Sequence, residues 1–376
     1  MSAPLSEKPN MQSGKQMTAT LPNASKLELR GGRVAIPSAT AKLRIMEILA
    51  PLGVPDAIAQ EVATHLVDAS LSGVESHGIV RVLQYAAQYR AGRIIADTTP
   101  VFRITATGAP EVDGHGAIGI PAMRLAFDEG CRLATQNGIA AVAIRNAGHT
   151  GRHGYFADLA AQKGCLTILT GGGKREQWRQ VAPHGGIKAM LPTNPWCVGI
   201  PGGDQGPNIL DFATSKIAGG WIHAARSAGA LLPEGCVIDR FGNPTRDPED
   251  YFNGGAILPA GGHKGFALAL MAELIGEAML GPVTVECNWL LICIDTARFR
   301  PDGPMQTAAE AILTELRNCP PAPGFAAVEI PGERERNHHQ AAHELIHVPE
   351  ETWDQIVALA AQSATPLADE ASGKIS

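Results

Sequence analysis

From residue 38 onward the apolar positions first recur at helical spacing. Three amphipathic stretches follow one another: 39–52 with Ser38 as its cap, 55–71 opened by Pro55, and 78–92 closed by Gly92. Proline in a first turn and glycine just past a last one suit helix termini. After Pro100 the period shortens. Residues 102–106 alternate as a strand does, and helix 121–136, strand 139–144, helix 155–163 and strand 165–170 then follow in turn. That succession predicts an α/β layer.

Between 171 and 265 glycine, proline and asparagine dominate, so this region is expected to be largely irregular, at a length usually kept for function. A helix over 266–280, a strand over 289–295, a helix over 307–317 and a last helix from Pro349 complete the pattern, with no internal repeat. Helix 266–280 is too short for a membrane span and carries Glu273 and Glu277, so it reads as a core helix.

Composition narrows the class. The 376 residues are 18% charged and 45% apolar, enough for a large core in two or three subdomains. A formal charge of −6 gives no electrostatic reason to bind nucleic acid. The 7 cysteines are scattered without a C-x-x-C pair and read as reduced, mostly buried thiols. Residues 1–33 are polar, lack an apolar secretory core and read as a disordered extension; 366–376 reads as a flexible tail. The expectation is a cytoplasmic protein with no membrane partner.

Two motifs invite a function and fail on their flanks. His343-Glu344-Leu345-Ile346-His347 spells the zinc signature of metalloproteases, in which a helix brings two imidazoles within about 6 Å of each other. Pro349 disfavours helix at Val348, so 345–348 reads as a short strand before the last helix. Strand geometry separates the two histidines by roughly 13 Å. A zinc-dependent hydrolase using His343 and His347 therefore stands only as the competing reading, with no metal expected.

Gly114-His-Gly116-Ala-Ile-Gly119 matches a dinucleotide fingerprint, but the residues before it include a proline and two charges where a buried parallel strand is required. No acidic residue ends the next strand at 144–146. The motif reads instead as a glycine-rich lead into a helix.

Three other clusters combine reactive side chains with loop glycines. The first is Glu75-Ser76-His77-Gly78-Ile-Val-Arg81, where helical geometry places His77 and Arg81 on one face. A guanidinium beside an imidazole suits a carboxylate that exchanges a proton nearby. The second runs from Asn146 to Gly154 and includes His149, Arg152 and His153, after a strand and before a helix whose amides favour an anion. The third gathers Pro192-Thr193-Asn194-Pro195, Leu210-Asp211-Phe212-Ala213-Thr214-Ser215 and Gly261-Gly262-His263-Lys264-Gly265. The gap from Gly261 to Lys264 is too short for a P-loop.

The ordered stretches SHGIVR (76–81), GHTGRHGYF (148–156), PTNP (192–195), LDFATSKIAGG (210–220), LLPEGCVIDRFGNPTRDP (231–248) and LPAGGHKGFALAL (258–270) resemble the malate/L-lactate dehydrogenase family that lacks a Rossmann fold. Ureidoglycolate, sulfolactate, 2,3-diketogulonate and Δ1-piperideine-2-carboxylate oxidoreductases belong to that family, and the resemblance covers about 41–360. It implies a family-specific α/β fold with a helical subdomain made from both ends of the chain. Residues 34–115 with 286–365 would form the helical, substrate and dimerisation domain, and 116–285 the cofactor-binding α/β domain. It further implies a homodimer that transfers hydride between NAD or NADP and a small 2-hydroxy, 2-oxo or cyclic 2-imino acid. Arg81 would hold the substrate carboxylate, with Tyr85, Thr193 and Asn194 also contacting substrate. His149 would be the acid/base, with Ser76, His77 and Asp211 as a proton relay. His149, Thr150, Gly151, Arg152, His153, Asp211, Ala213, Thr214, Ser215, Gly261, Gly262 and Lys264 would contact the cofactor.

Two departures from the family pattern stand out. Pro192 replaces the glycine usual before the TNP turn, and GGGKREQWRQ at 171–180 is unusually basic. Lys174 or Arg175 there would suit the 2′-phosphate of NADP, or simply be surface charge. The remaining alternative is a family member that keeps the fold without turnover.

Overall fold

The computed structural model describes residues 32–300 and 305–364. The expected extension and tail lie outside these, except that Gly32 is described and Arg33 already belongs to the first strand. Strand β1 (Arg33–Pro37) pairs antiparallel with β12 (Leu345–Pro349), setting Val34 opposite Val348 and Ile36 opposite Ile346. This pairing brings the two ends of the chain together. Helices α1 (Ser38–Leu49), α2 (Asp56–Leu71) and α3 (Arg81–Arg90) pack with the last helix, α11 (Glu350–Ala364), into one layer. Ile45, Ile48, Leu49, Val62, Leu66, Val82 and Tyr85 are its buried face, at the spacing the sequence predicts. Ser38 does not cap α1 with its side chain; its hydroxyl bonds Glu344 instead.

Against this layer lies a seven-stranded sheet in the order β2-β3-β4-β11-β5-β6-β7. Its strands are β2 (Val101–Ile104), β3 (Pro110–Asp113), β4 (Ile139–Ala147), β5 (Cys165–Gly172), β6 (Trp196–Gly203), β7 (Gly206–Phe212) and β11 (Cys287–Asp295). Only β3 and β4 run parallel, joined by α4 (Gly119–Asn137); every other pair is antiparallel. The result is a mixed α/β fold, unlike the parallel Rossmann sheet. Helix α5 (His153–Gln162) covers β5, β6 and β7. Strands β2, β3 and β11 share this sheet with β4–β7, and one core runs from Ile36 to Ala360, across the domain boundaries expected from the resemblance.

The expectation of an irregular 171–265 is corrected. Strands β6 and β7 extend the sheet, and α6 (Gly219–Ala228), α7 (Pro248–Phe252) and a small sheet of β8 (Val237–Ile238), β9 (Pro244–Thr245) and β10 (Ala256–Ile257) enclose a second core around Val181, Ile222, Leu232 and Ile257. The glycines that disguise β6 have a packing reason. A Cβ on Gly199 would sit 2.8 Å from the Cβ of Ala157, so glycine there lets α5 lie close to the strand.

Helix α8 (His263–Glu273) begins three residues before the predicted start and continues as a π-helix over Leu274–Met279. There a Cβ on Gly276 would strike the backbone of Gly172 at 2.3 Å. Helix α9 is Met305–Arg317, and α10 (Glu333–Ala342) is a polar helix without buried residues that apolar periodicity does not announce.

Candidate active site

The glycine motif at 114–119 turns out to hold a loop rather than to await a phosphate. Strand β3 does precede it, contrary to the reading of its flank. The buried Glu111 and Asp113 are tolerated because Arg145 meets Glu111 at 2.9 Å, Arg103 meets it at 3.0 Å, and Asn146 donates to Asp113 at 3.0 Å. The amides of Gly114, Gly116 and Gly119 donate to the carbonyls of Arg145, Asn146 and His149, and Gly148 N–H returns a bond to Ala117. A Cβ on Gly119 would come within 2.3 Å of the Gly148 carbonyl. The motif is thus a flat bed for the loop that follows β4.

That loop presents His149. Its Nδ1 lies 2.7 Å from the Tyr85 hydroxyl and 3.2 Å from the Gly151 N–H. A backbone amide only donates, so the neutral ring accepts at Nδ1 and carries its proton on Nε2. The His77 ring stacks on His149 with centroids 5.4 Å apart, and Ser76 Oγ lies 3.0 Å from His77 Nδ1. Arg81, one turn before Tyr85 on α3, is steadied by donating to the Ser76 carbonyl and to Gln84. Burial and then the Arg81 charge hold His149 well below the usual imidazole range, and the same causes bring His77 down to about 3.

The underside of the loop is pinned. His65 Nε2 accepts from the Arg152 N–H at 2.8 Å, and its ring stacks on Phe156. A Cβ on Gly151, where φ is +73°, would lie 2.1 Å from that same nitrogen. Arg152 reaches back to Asp68 at 2.9 Å and Ser72 at 3.1 Å. Thr150 Oγ1 lies 2.8 Å from His153 Nε2, and the His153 ring meets the edge of Trp289. Asp211 accepts from the Gly154 N–H at 2.7 Å, at the start of α5. Its carboxylate therefore lies on the α5 side of the loop, where Thr150 meets His153 and Arg152 bonds Asp68 and Ser72. A cavity of about 780 Å³ opens on this side, between Arg152, Asp211 and α10.

The third group of expected residues meets in a second cluster. Thr214 donates to the Thr193 carbonyl through both its N–H and its hydroxyl at 2.9 Å, and accepts from Ala260 N–H at 2.8 Å. Gly261 and Gly262 have φ of +60° and +62° and lead into α8, where Lys264 is exposed. Ser215 donates to the Ile217 carbonyl, and Ala213 is half-buried between Asp211 and Thr214. Asn194, at φ +35°, donates to Glu273 at 2.6 Å while its own Oδ1 is buried and makes no hydrogen bond. Strand β7 joins the clusters, since Asp211 reaches α5 three residues before Thr214. Ser76, His77, Arg81, Tyr85 and His149 thus form one group, and residues 193–194, 213–215, 261, 262 and 264 another.

The sequence does not single out Glu286 or His65, and it gives Asn146 only as the start of the second cluster. Glu286 is half-buried; burial pushes its carboxyl up to about 7 although Arg81 and Lys174 draw it down. Nothing in its local sequence marks it. Asn146 holds a left-handed φ of +53° and accepts from Thr284. Arg175, a candidate for the NADP phosphate, is paired with Glu277 at 2.6 Å.

The zinc motif is dismantled locally. His343 and Glu344 take left-handed φ of +46° and +63° after α10, and His347 follows in β12, so the helical spacing is absent. Among the described residues no group of three or more His, Cys, Asp or Glu is gathered to hold a metal ion. No helix among them is long and apolar enough to cross a membrane.

The family model described as malate/L-lactate dehydrogenase matches residues 36–357. The chain is 33% identical over 315 residues to the malate dehydrogenase of Pyrococcus horikoshii, covering 77% of this chain and 84% of that one. It is 33% identical over 248 residues to the Δ1-pyrroline-2-carboxylate/Δ1-piperideine-2-carboxylate reductase of Pseudomonas putida, covering 66% and 72% respectively. The solved sulfolactate dehydrogenase of Methanocaldococcus jannaschii superposes with a TM-score of 0.77 at 30% identity, over 88% of this chain and 97% of that one. The chain belongs to the malate/L-lactate dehydrogenase family and is an oxidoreductase of that family.

Proposed function

We propose that the protein transfers hydride between NAD or NADP and a small 2-hydroxy/2-oxo acid or cyclic 2-imino acid at the Arg81–His149 cluster. The observation that carries this is the Tyr85–His149 contact at 2.7 Å, with Arg81 one turn away on the same helix. The second cluster suits a nicotinamide dinucleotide. Helix α8 opens behind two positive-φ glycines with the exposed Lys264 ammonium in its first turn. The Lys264, Gly265 and Phe266 amides are met by the carbonyls of Gly261, Ala260 and Gly262, so the helix dipole and that ammonium are what would favour a pyrophosphate. The buried, unbonded Asn194 Oδ1 adds an acceptor. When bound, the dinucleotide supplies the hydride donor or acceptor.

The chain's own residues do the rest. Arg81 fixes the carboxylate through a charge-assisted fork. His149 works at Nε2. To give a proton it must be imidazolium, whose Nδ1–H the Tyr85 oxygen accepts once its hydroxyl rotates from donor to acceptor. The neutral ring offers an Nε2 lone pair in the oxidative direction by the same rotation; in both forms Nδ1 carries the proton, so the Gly151 N–H must also release that nitrogen. Burial is the larger reason that His149 is held neutral, and the Arg81 charge is the next. A carboxylate on Arg81 cancels the second, so binding of the acid itself raises the imidazole's proton affinity.

The two-part division, 34–115 with 286–365 against 116–285, is proposed as a division of labour within one shared sheet. We also propose a homodimer. Leu270, Met271, Leu274 and Met279 stay exposed along α8 and its π extension, an apolar stripe of the kind interfaces cover. A screen of NADH and NADPH oxidation against pyruvate, oxaloacetate, sulfopyruvate, diketogulonate and Δ1-piperideine-2-carboxylate tests the activity. Turnover of at least one supports it; a flat trace with all of them contradicts it.

A further inference from the structure

The imidazole of His65 is buried on α2 and takes no part in the chemistry derived above. Its hydrogen bonding is one-sided. Nε2 accepts from the Arg152 N–H at 2.8 Å, so the neutral ring carries its proton on Nδ1. Nδ1 is buried and, among the described residues, has no hydrogen-bond partner. An unmet buried donor is destabilising, and a leucine of similar size would fill the space beside Tyr155 and Phe156 without one. What the imidazole adds at this position is therefore its other nitrogen, the acceptor for Arg152.

That acceptor matters because of what lies on the other side of Gly151. Two consecutive amides grip two imidazoles: the Gly151 N–H donates to His149 Nδ1 at 3.2 Å, and the Arg152 N–H to His65 Nε2 at 2.8 Å. Between them Gly151 has φ of +73°, and its missing Cβ is what lets His65 Nε2 approach. The Arg152 side chain is tied to Asp68 and Ser72, so backbone and side chain of this stretch are both fastened to α2 and its C-terminal end. A donor on Nδ1 favours neutral His149 over its imidazolium. The other groups that face His149 are Arg81 and Tyr85 on α3, His77 just before it, His153 on α5 and His65 itself, and none of these carries a negative charge.

We infer that His65 is a positioning residue for the acid/base: by fixing the Gly151–Arg152 peptide it keeps the Gly151 N–H on His149 Nδ1 in the resting enzyme, and so sets the pH at which His149 takes up its proton. The inference rests on the reading of His149 as the acid/base. Proton uptake then turns the Thr150–Gly151 peptide away, while the peptide that follows it stays on His65.

The test is kcat for reduction of an accepted acid, followed against pH on the full-length enzyme saturated with dinucleotide and acid, which reports groups in the bound complex. His65→Leu keeps the volume and removes the acceptor. It moves the limb on which activity falls with rising pH upward by about one pH unit, the worth of one hydrogen bond to the neutral ring. His65→Gln, whose Oε1 accepts in place of Nε2, returns the limb to its wild-type position. A purely structural role would lower turnover at every pH and leave the limb in place. Should His65→Leu fail to fold, nitrogen NMR of the histidine-labelled wild type decides, with the His65 signal assigned by its loss in His65→Gln. The inference expects the His65 proton on Nδ1 and the resting His149 proton on Nε2. An unmoved limb in His65→Leu, an equal displacement in His65→Gln, or a His65 proton on Nε2 overturns it. Turnover retained in His149→Ala overturns the acid/base reading and the inference together, whereas turnover lost there with an unmoved limb in His65→Leu overturns the inference alone.

Discussion

The Tyr85 hydroxyl and His149 Nδ1 meet at 2.7 Å across 64 positions of sequence, so helix α3 and the loop after β4 are locked where one imidazole needs a partner in both charge states. Tyr85 is fully buried, and burial pushes its phenol above the ordinary range, so it acts as a neutral hydroxyl throughout. Tyr85→Phe should lower kcat about tenfold or more with little change in KM. Unchanged kcat would remove Tyr85 from proton transfer.

The bed beneath the loop predicts a result that separates it from a phosphate turn. Gly119→Ala drives a methyl into the Gly148 carbonyl, which costs about 2 kcal/mol of stability and displaces His149. Turnover should fall while dinucleotide affinity, read by fluorescence titration, is kept. Loss of dinucleotide affinity with turnover otherwise intact would restore the phosphate reading.

Arg152 is anchored to Asp68 and Ser72 and has little exposed surface. Arg152→Ala leaves the half-buried Asp68 carboxylate with only His339, at 3.5 Å, and should destabilise the protein by about 1–3 kcal/mol, measured by urea unfolding. A direct cofactor role would instead raise the KM for NADH or NADPH without that loss.

Four imidazoles, His65, His77, His149 and His153, are held below their ordinary value of 6.5, chiefly by burial. The unfolded chain binds protons there that the folded one refuses, so the stability is present above 6.5 and lost as pH falls toward 3, the lowered value of His77. Glu286, raised to about 7, offsets one of these protons, and the raised Glu61, Asp68 and Glu273 offset more at lower pH. The unfolding midpoint should therefore drop between about pH 7.5 and about pH 5.5. A flat or rising midpoint would contradict the burial of these rings.

Much of this was readable in the chain. Helical spacing located α1, α2, α4 and α11, and Pro349 was enough to recognise β12 and unmake the zinc motif. Apolar runs marked β4, β5 and β11, and alternation marked β2. Strands β6 and β7 were hidden because Gly199 answers to a neighbouring helix, not to strand propensity. Strand β3 was misread because its charges are balanced by Arg103 and Arg145 from other strands, a pairing no local window contains. For the same reason the grouping of Ser76, His77, Arg81, Tyr85 and His149 came from family resemblance, whereas Glu286 and His65 emerge only once the chain is folded.

The central claim is that Arg81 and His149 serve one substrate. Steady-state turnover of an acid accepted by the wild type, measured on Arg81→Ala and His149→Ala beside dinucleotide titrations of both, tests it most directly. The account predicts that His149→Ala abolishes turnover while still binding dinucleotide, and that Arg81→Ala chiefly raises the KM for the acid, by a factor worth a few kcal/mol, roughly 2–3. Turnover at the wild-type rate in both variants would contradict it.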